Sequence, residues 1–261
     1  LLVSPKGLYV NHPDNEIREK TLDYFLALID LCADLEGRVM IIGSPQQRSV
    51  QEGWDADQSW NYARETFTHS ASYAQDKDVL LCMEPLSDNQ TNFINTPSQA
   101  VKMIHQVNSP NFRLILDVCS TANQGLDMPT EIRQFSNDLA HFHTNDNNLY
   151  LPGSGDVDYP PIISALAETG YDGYLSTEVF NFEPDPITIA SQSISFLKKI
   201  IAQSVEDLQI ISACCSEAKI KASDIKFLPS NKIFLLSLQR FNKETEDNNK
   251  IINSIIKFEF I

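Results

Sequence analysis

The sequence predicts an α/β fold built on a parallel sheet, and three observations support this prediction. Short apolar runs of strand length alternate with longer amphipathic stretches of helix length up to about Ala202. The runs recur at intervals of roughly 25 to 40 residues, which is typical of parallel strands joined by crossover helices. Ionisable residues stand where several of the apolar runs end. A chain of 261 residues can form one large domain, or one medium domain with an appendage.

The first half of the chain predicts three helices and two strands. Apolar residues between Asn15 and about Leu35 recur at three- and four-residue steps, which indicates one face of a helix. The run VMIIGSP from Val39 ends in Gly and Pro and predicts a strand buried on both faces. A polar helix over about 57–74 leads into a second strand, VLLCMEP. The segment TPSQ from Thr96 combines a hydroxyl N-cap, a first-turn proline and a later glutamine, so a third helix begins there.

The second half continues the alternation with the strands FRLILDV, HFHTN and YLSTEVF. We expect a short helix near Glu131 before HFHTN, and a helix that Asp158 and two prolines open and Gly170 ends. A last helix is predicted from about Ile187 to Ile201. The N-terminal segment LLVSP is a further candidate strand. A doubly wound open sheet and a closed barrel both fit this number of strands.

The alternation stops near Ala202, which predicts a boundary between a domain over 1–202 and a module over 203–261. Ser204 is expected to cap a new helix at the start of this module. The later segment IKFLPSNKIFLLSLQRF alternates apolar and polar residues around PSNK, which indicates an antiparallel hairpin. The C-terminal part is therefore predicted to be a small α+β module of a helix and a hairpin.

Composition restricts the class of protein and its partners. A formal net charge of −15 argues against a nucleic-acid partner and against binding to an anionic membrane surface. No run of 18 apolar residues occurs, so no membrane-spanning helix is predicted. The five cysteines are an odd number without C-x-x-C spacing, which favours free thiols and a cytoplasmic location.

Four ionisable residues lie at or near the C-terminal ends of four consecutive predicted strands: Glu84, Asp117, His143 and Glu178. Any one of them alone would be explained by a helix cap or an ion pair. All four together favour a (β/α) barrel over an open sheet, because a barrel directs its strand ends towards one centre. Three carboxylates and one imidazole repel one another unless a cation lies among them. Such an oxygen-rich set favours Mn²⁺, Mg²⁺ or Co²⁺ over a structural zinc.

Three other residues are candidates for contacts around this centre. His141 faces the same side of its strand as His143, and it is a candidate substrate residue or a buried core histidine. Asp146 is a candidate to orient His143 or to cap a loop, and it is also a candidate substrate contact. Arg48 follows a strand end and is a candidate substrate contact or a solvated loop arginine. The G-x-G at Gly153 is a weak signal that lacks the lysine of a phosphate-binding loop.

The sequence also resembles the sugar phosphate isomerase/epimerase superfamily with the xylose isomerase-like barrel, especially its D-tagatose/D-psicose 3-epimerase branch. The resemblance rests on EPL, on LILDV, and on the block HFHTND…PGSGDVDYPPII…GYDGYLSTEVF. The four strand-end residues are separated by 33, 26 and 35 residues, which is also similar to that branch. The resemblance covers roughly residues 1–200. If LLVSP is the third strand of that family's fold, the chain holds a TIM-type barrel that lacks its first two strands.

The resemblance implies that Glu84, Asp117, His143 and Glu178 hold a divalent metal, with Mn²⁺ as the preferred ion. It also implies that Glu84 and Glu178 are the acid/base pair of a ketose epimerase or isomerase. The reaction would be deprotonation and reprotonation through a metal-stabilised enediolate. Ser120 stands where the branch has a histidine, and Leu149 where it has an arginine. Both family residues contact substrate oxygens, so Ser120 is a candidate substrate residue and the sugar stays open.

Several alternatives remain at this point. Within the superfamily the chain could instead be a hydroxypyruvate isomerase or an inosose dehydratase. It could also be an inactive fragment or fusion that keeps the metal ligands. An endonuclease IV-like nuclease is disfavoured, because it needs more histidines than the five present and a basic surface.

The C-terminal segment VEDLQIISACCSEAKIKASDIKFLPSNKIFLLSLQRF resembles a small bacterial family of unknown function called DUF2948. It has that family's DL-x-x-I-S-A opening and a hairpin that ends in RF. This resemblance implies no activity. For the whole chain we expect a small-molecule sugar as partner, no nucleic acid and no membrane, and a homo-oligomer is compatible with the sequence.

Overall fold

The structure is a computed structural model that describes residues 5–217, with burial described through Ser204. Apart from Pro5, the predicted N-terminal strand LLVSP lies outside the described residues, as does the predicted C-terminal hairpin. Helices and strands alternate along the described chain, as predicted, except that two successive helices separate the third strand from the fourth. In chain order they are α1 (Asn15–Asp34), β1 (Val39–Ile42), α2 (Ala56–Asp76), β2 (Leu80–Met83), α3 (Pro97–Val107), β3 (Phe112–Asp117), α4 (Val118–Asn123), α5 (Met128–Phe135), β4 (Leu139–Thr144), α6 (Tyr159–Glu168), β5 (Leu175–Thr177) and α7 (Pro186–Glu217).

The chain divides into two compact units. Among the described residues, the first unit comprises the chain up to Asp127 together with Phe135–His143, and the second comprises Met128–Gln134 with the chain from Thr144 onward. The strands follow the order β1-β2-β3-β4-β5 in a five-stranded sheet, and β1 to β4 pair in parallel. The predicted parallel α/β fold is therefore confirmed.

The helices of the first unit begin at residues whose side chains satisfy free backbone N–H groups. The Asp14 carboxylate accepts from the N–H of Glu16 at 2.9 Å before α1. Before α3, Thr96 and Gln99 form a reciprocal capping box, as the sequence predicted. These caps define where the helices begin, since the first N–H groups of a helix have no partner within it.

The core of the first unit lies on both faces of its central strands. In β2 the consecutive residues Leu81, Cys82 and Met83 have no exposed surface. Consecutive strand residues point to opposite faces, so both faces of β2 are covered by other parts of the protein. Phe67 from α2 stacks on Phe112 of β3 with ring centroids 5.2 Å apart. This contact packs α2 against the N-terminal end of β3.

In the second unit, β5 lies beside Thr144, the residue that ends β4. The hydroxyl of Thr144 lies 3.2 Å from the carbonyl oxygen of Ser176, to which it donates. The helices α6 and α7 pack together, with the rings of Tyr159 and Phe196 in an edge-to-face contact at 5.2 Å. Arg133 in α5 and Glu168 in α6 form an ion pair of 2.6 Å.

Two helix predictions need correction. The sequence predicted a helix end near Ile201 and a new helix capped by Ser204, but α7 continues without a break through both positions. The Ser204 hydroxyl donates to the Ile200 carbonyl at 3.0 Å, a bond made inside a helix rather than at its start. No Gly or Pro follows Pro186 within α7, so nothing local ends the helix at Ile201. The six-residue helix α4 was not predicted.

No helix within residues 5–217 is both long and apolar enough to cross a lipid bilayer. The predicted boundary between residues 202 and 203 falls inside α7 and stays a prediction for the chain's domains.

Candidate metal centre

Three of the four predicted metal ligands meet in the first unit, each at the C-terminal end of a strand. Asp117 ends β3 and pairs in register with His143 of β4, while Glu84 directly follows β2. The Nδ1 atom of His143 lies 3.5 Å from Oε1 of Glu84 and 3.7 Å from Oδ2 of Asp117. The metal-binding atoms of these three residues all lie within 4.8 Å of one another.

These distances suit ligands of a common ion better than hydrogen bonds between the side chains. A hydrogen bond from an imidazole nitrogen to a carboxylate is normally shorter than about 3.2 Å. Two ligand atoms that each lie about 2.1 Å from one ion are separated by roughly 3 to 3.5 Å. The arrangement therefore needs little adjustment to hold a divalent cation.

Burial makes the charge of this group costly without a cation. Glu84, Asp117 and His143 are only 5%, 4% and 3% exposed. Carboxylates are almost never so deeply buried unless a positive charge or a metal balances them. The two carboxylates and the imidazole can thus hold a divalent metal, and the oxygen-rich set matches the sequence prediction.

The two carboxylate oxygens of Asp117 have different partners. Oδ1 accepts from the backbone N–H of Ser120 at 2.7 Å and so caps α4. Oδ2 is the oxygen that faces His143. The cap orients the carboxylate, because a carboxylate held by a backbone N–H cannot rotate freely. Ser120, a predicted substrate residue, is buried in the first turn of α4 and supplies this cap through its backbone.

Arg48 contacts the protein rather than solvent. It is 1% exposed, and its Nη1 donates to the Glu84 carbonyl oxygen at 2.6 Å. Burial, offset in part by the charge of Glu84, lowers the pKa of Arg48 to about 10, so it stays charged at neutral pH. The expectation of a solvated loop arginine is wrong, while the role as a substrate residue stays a prediction.

His141 lies directly beside His143 in the first unit. Their rings make an edge-to-face contact with centroids 5.4 Å apart, and His141 is 2% exposed. Burial, helped by the neighbouring His143, lowers the pKa of His141 to about 3. His141 is therefore a neutral imidazole at neutral pH. A neutral ring beside the candidate metal centre adds no charge repulsion to it, whether or not His141 also contacts substrate.

Glu178, the fourth predicted ligand, belongs to the second unit and directly follows β5. Its backbone N–H donates to the Thr144 carbonyl oxygen at 3.2 Å. Thr144 ends β4 and belongs to the second unit as well. The side chain of Glu178 is half-buried. Its role as a ligand stays a prediction.

Asp146 organises the loop that follows β4. Its fully buried carboxylate accepts from the backbone N–H groups of Asn147 at 2.9 Å, Gly153 at 3.0 Å and Val157 at 3.2 Å. A Cβ atom at Gly155 would lie 2.9 Å from Cγ of Asp146, so the loop closes tightly over this carboxylate. Of the two sequence interpretations, the loop cap agrees with these contacts. A contact between Asp146 and substrate stays a prediction.

We expect Asp146→Ala to loosen the loop over 147–157. Three backbone N–H groups lose a charged acceptor, and charge-assisted hydrogen bonds contribute about 1.5 to 3 kcal/mol each. The variant should unfold at a lower temperature and be cleaved faster by protease within this loop. Asp156→Ala, on the same loop but exposed, is the control and should behave like the unchanged chain. Equal cleavage rates for the two variants would contradict this role.

Fold and site together define a parallel (β/α) protein with a candidate metal centre at its strand ends. The family model described as "Xylose isomerase-like TIM barrel" matches residues 2–200, and the chain belongs to this family. Residues 198–259 match a second model, "Protein of unknown function (DUF2948)". Both resemblances stated from the sequence are confirmed, and so is the fold class.

Curated relatives are named as epimerases of ketoses. The chain is 26% identical over 179 residues to the D-psicose 3-epimerase of Ruminiclostridium cellulolyticum, which covers 66% of this chain and 59% of that protein. It is 19% identical over 196 residues to the fructoselysine 3-epimerase of Shigella flexneri, which covers 73% and 70%. The chain thus spans less than two thirds of the first of these relatives.

Solved structures show the same fold. The structure of an L-ribulose 3-epimerase superposes with a TM-score of 0.72 at 21% identity, over 79% of this chain and 76% of that one. A D-allulose 3-epimerase from Methylomonas sp. gives a TM-score of 0.70 at 20% identity, over 75% and 74%. At these identities the likeness establishes the fold alone.

Proposed function

We propose that this chain is a divalent-metal-dependent ketose epimerase. The observation that carries the proposal is the buried group of Glu84, Asp117 and His143, in which two carboxylates face one imidazole nitrogen. Membership of the xylose isomerase-like family and curated relatives named as ketose 3-epimerases support the same reaction class. Because the chain spans only part of those relatives, their activity is a proposal for this chain.

The donor set suits Mn²⁺, with Mg²⁺ or Co²⁺ as alternatives, and Glu178 is proposed as the fourth ligand. When bound, the metal would polarise the carbonyl of a ketose and its neighbouring hydroxyl, which acidifies the hydrogen on carbon. His143 and Asp117 are assigned to holding the ion only. Asp117 suits this role because its other oxygen is engaged in capping α4.

Glu84 and Glu178 are proposed as the proton-transfer pair. One carboxylate removes the proton from the carbon next to the carbonyl, and the other returns a proton to the opposite face, so the configuration inverts. Each residue directly follows a strand, and each has its backbone N–H bonded to the neighbouring strand. Rigid main chains suit this role, because proton transfer requires heavy atoms held within about 3 Å of each other.

Substrate recognition is proposed for Ser120 and His141, which are buried beside the ligands Asp117 and His143. Since Ser120 replaces the histidine and Leu149 the arginine of the epimerase branch, we expect a sugar preference different from that branch. A cytoplasmic location and a homo-oligomeric state stay predictions.

The proposal is tested by solvent exchange on a panel of ketopentoses and ketohexoses. The purified chain loaded with Mn²⁺ should exchange one carbon-bound hydrogen with deuterated water, and the epimer should accumulate. NMR measures both, and removal of the metal by a chelator should lower the rate by at least about 100-fold. Lack of exchange on every sugar with Mn²⁺, Mg²⁺ and Co²⁺ would overturn the proposal. Isomerisation of hydroxypyruvate or dehydration of an inosose would instead favour the alternative reactions.

A further inference from the structure

Gly43, the residue after β1, lies against the carboxylate of Glu84. A Cβ atom built on Gly43 would overlap Oε2 of Glu84 and lie 3.3 Å from its Cδ. The parallel register of β1 and β2 pairs Ile42 with Met83, so the residues that follow, Gly43 and Glu84, are neighbours across the two strands. The absence of a side chain at position 43 leaves the space that the carboxylate occupies.

The backbone of Gly43 does not itself require glycine. Glycine is usually needed where φ is positive, because other residues are strained there. Gly43 is not among the positive-φ glycines of the described chain, which are Gly7, Gly53, Gly125, Gly153 and Gly170. An alanine at position 43 would therefore adopt the same backbone without strain. Close approach of the Glu84 carboxylate is the remaining reason for glycine at this strand end.

The main chain of Glu84 is held on both sides, so it cannot move to make room. Its N–H donates to the Ile42 carbonyl at 3.2 Å, and its carbonyl accepts from the buried guanidinium of Arg48 at 2.6 Å. Arg48 is itself held, since its own carbonyl accepts from the Asn11 side chain at 2.6 Å. A methyl group at position 43 would thus displace the carboxylate of Glu84 rather than its backbone.

We propose that Gly43 is a positioning residue for Glu84. Because Gly43 has no side chain, the space beside it is open to the Glu84 carboxylate, which is thereby directed towards His143. The inference rests on the proposed function, because it gives the Glu84 carboxylate the role of a metal ligand. Arg48 completes the arrangement by fixing the main chain from which the carboxylate projects. The end of a flexible side chain moves at little cost, so the fold should survive a substitution that misplaces the ligand.

The test is a double-mutant cycle on Mn²⁺ affinity and on thermal unfolding without metal. Four chains are compared: the unchanged chain, Gly43→Ala, Glu84→Asp, and the double variant. Gly43→Ala should weaken Mn²⁺ binding by about 10- to 100-fold in calorimetry, the range for residues that orient a metal ligand. Aspartate withdraws the carboxylate from position 43. In the Glu84→Asp background, alanine at position 43 should therefore change affinity by less than about twofold, since the two sites are coupled.

Gly53→Ala is the matched control. Gly53 has φ +84°, and its added Cβ would meet nothing within 4 Å. The backbone strain should lower the unfolding temperature and leave Mn²⁺ affinity unchanged. A loss of affinity in this control would show that destabilisation alone weakens the site, and would overturn the assignment to Gly43.

The remaining outcomes separate this inference from the proposed function. Unchanged affinity in Gly43→Ala, or an equal loss in both Glu84 backgrounds, overturns the positioning role. If Gly43→Ala fails to fold, Glu84→Asp should restore folding in the double variant, and lack of restoration also overturns it. If the unchanged chain binds no divalent metal, the proposed function fails. The unfolding temperatures then still test the contact, because Gly43→Ala should lower the unfolding temperature slightly with Glu84 present and not in the Glu84→Asp background.

Discussion

Glu178→Gln is expected to lower the rate of substrate hydrogen exchange and of epimerisation by about 10³- to 10⁴-fold, the upper range for general acid–base catalysis. Glutamine keeps the length, the shape and one carbonyl oxygen of glutamate, but it cannot accept the proton from carbon. The backbone bond from residue 178 to Thr144 does not involve the side chain, so the strand end should stay in place. Exchange of the carbon-bound hydrogen with deuterated solvent, followed by NMR, is the direct measurement.

Glu183→Gln is the control for this variant. Glu183 lies five residues further along the same segment, and it is exposed. The same loss of one negative charge there should leave exchange unchanged. Wild-type exchange in Glu178→Gln would reject Glu178 as a proton-transfer residue, even if the metal site itself proved correct.

His143→Ala is expected to lower Mn²⁺ affinity by more than about 100-fold, beyond the usual effect of losing a residue that only supports a ligand. His143 supplies the nitrogen that both carboxylates face, so its removal leaves two buried carboxylates with no common partner. Asp117→Asn should also weaken binding strongly. Asparagine can still accept the Ser120 N–H and cap α4, so this change isolates the charge of the ligand from the cap.

His105→Ala is the control for removal of a histidine. His105 lies on α3, exposed, with an ion-pair contact of 3.1 Å to Asp138. Its loss should leave Mn²⁺ affinity as in the unchanged chain. Calorimetric titration of the metal-free variants measures all three. Wild-type affinity in both His143→Ala and Asp117→Asn would show that the metal lies elsewhere.

The sequence by itself determined most of the helices and strands and the strand ends that carry the candidate ligands. The elements were predicted from local signals. These signals are the spacing of apolar residues in helices and strands, the TPSQ cap at Thr96 and the regular interval between successive strands. The same reasoning placed Glu84, Asp117 and His143 at strand ends, and parallel pairing then brings such ends together. It failed at Ser204, where a hydroxyl that resembles an N-cap instead bonds backwards inside α7.

Only the tertiary structure decided what surrounds those residues. Arg48 appeared as a loop arginine, yet it is buried and bonds to the main chain of Glu84, 36 residues away. Asp146 had two interpretations, and the three N–H groups around its carboxylate agree with the loop cap. Gly43 carried no signal as part of the site, because glycine after a strand is common. Burial and close approach depend on residues distant in the chain, and no local pattern encodes them.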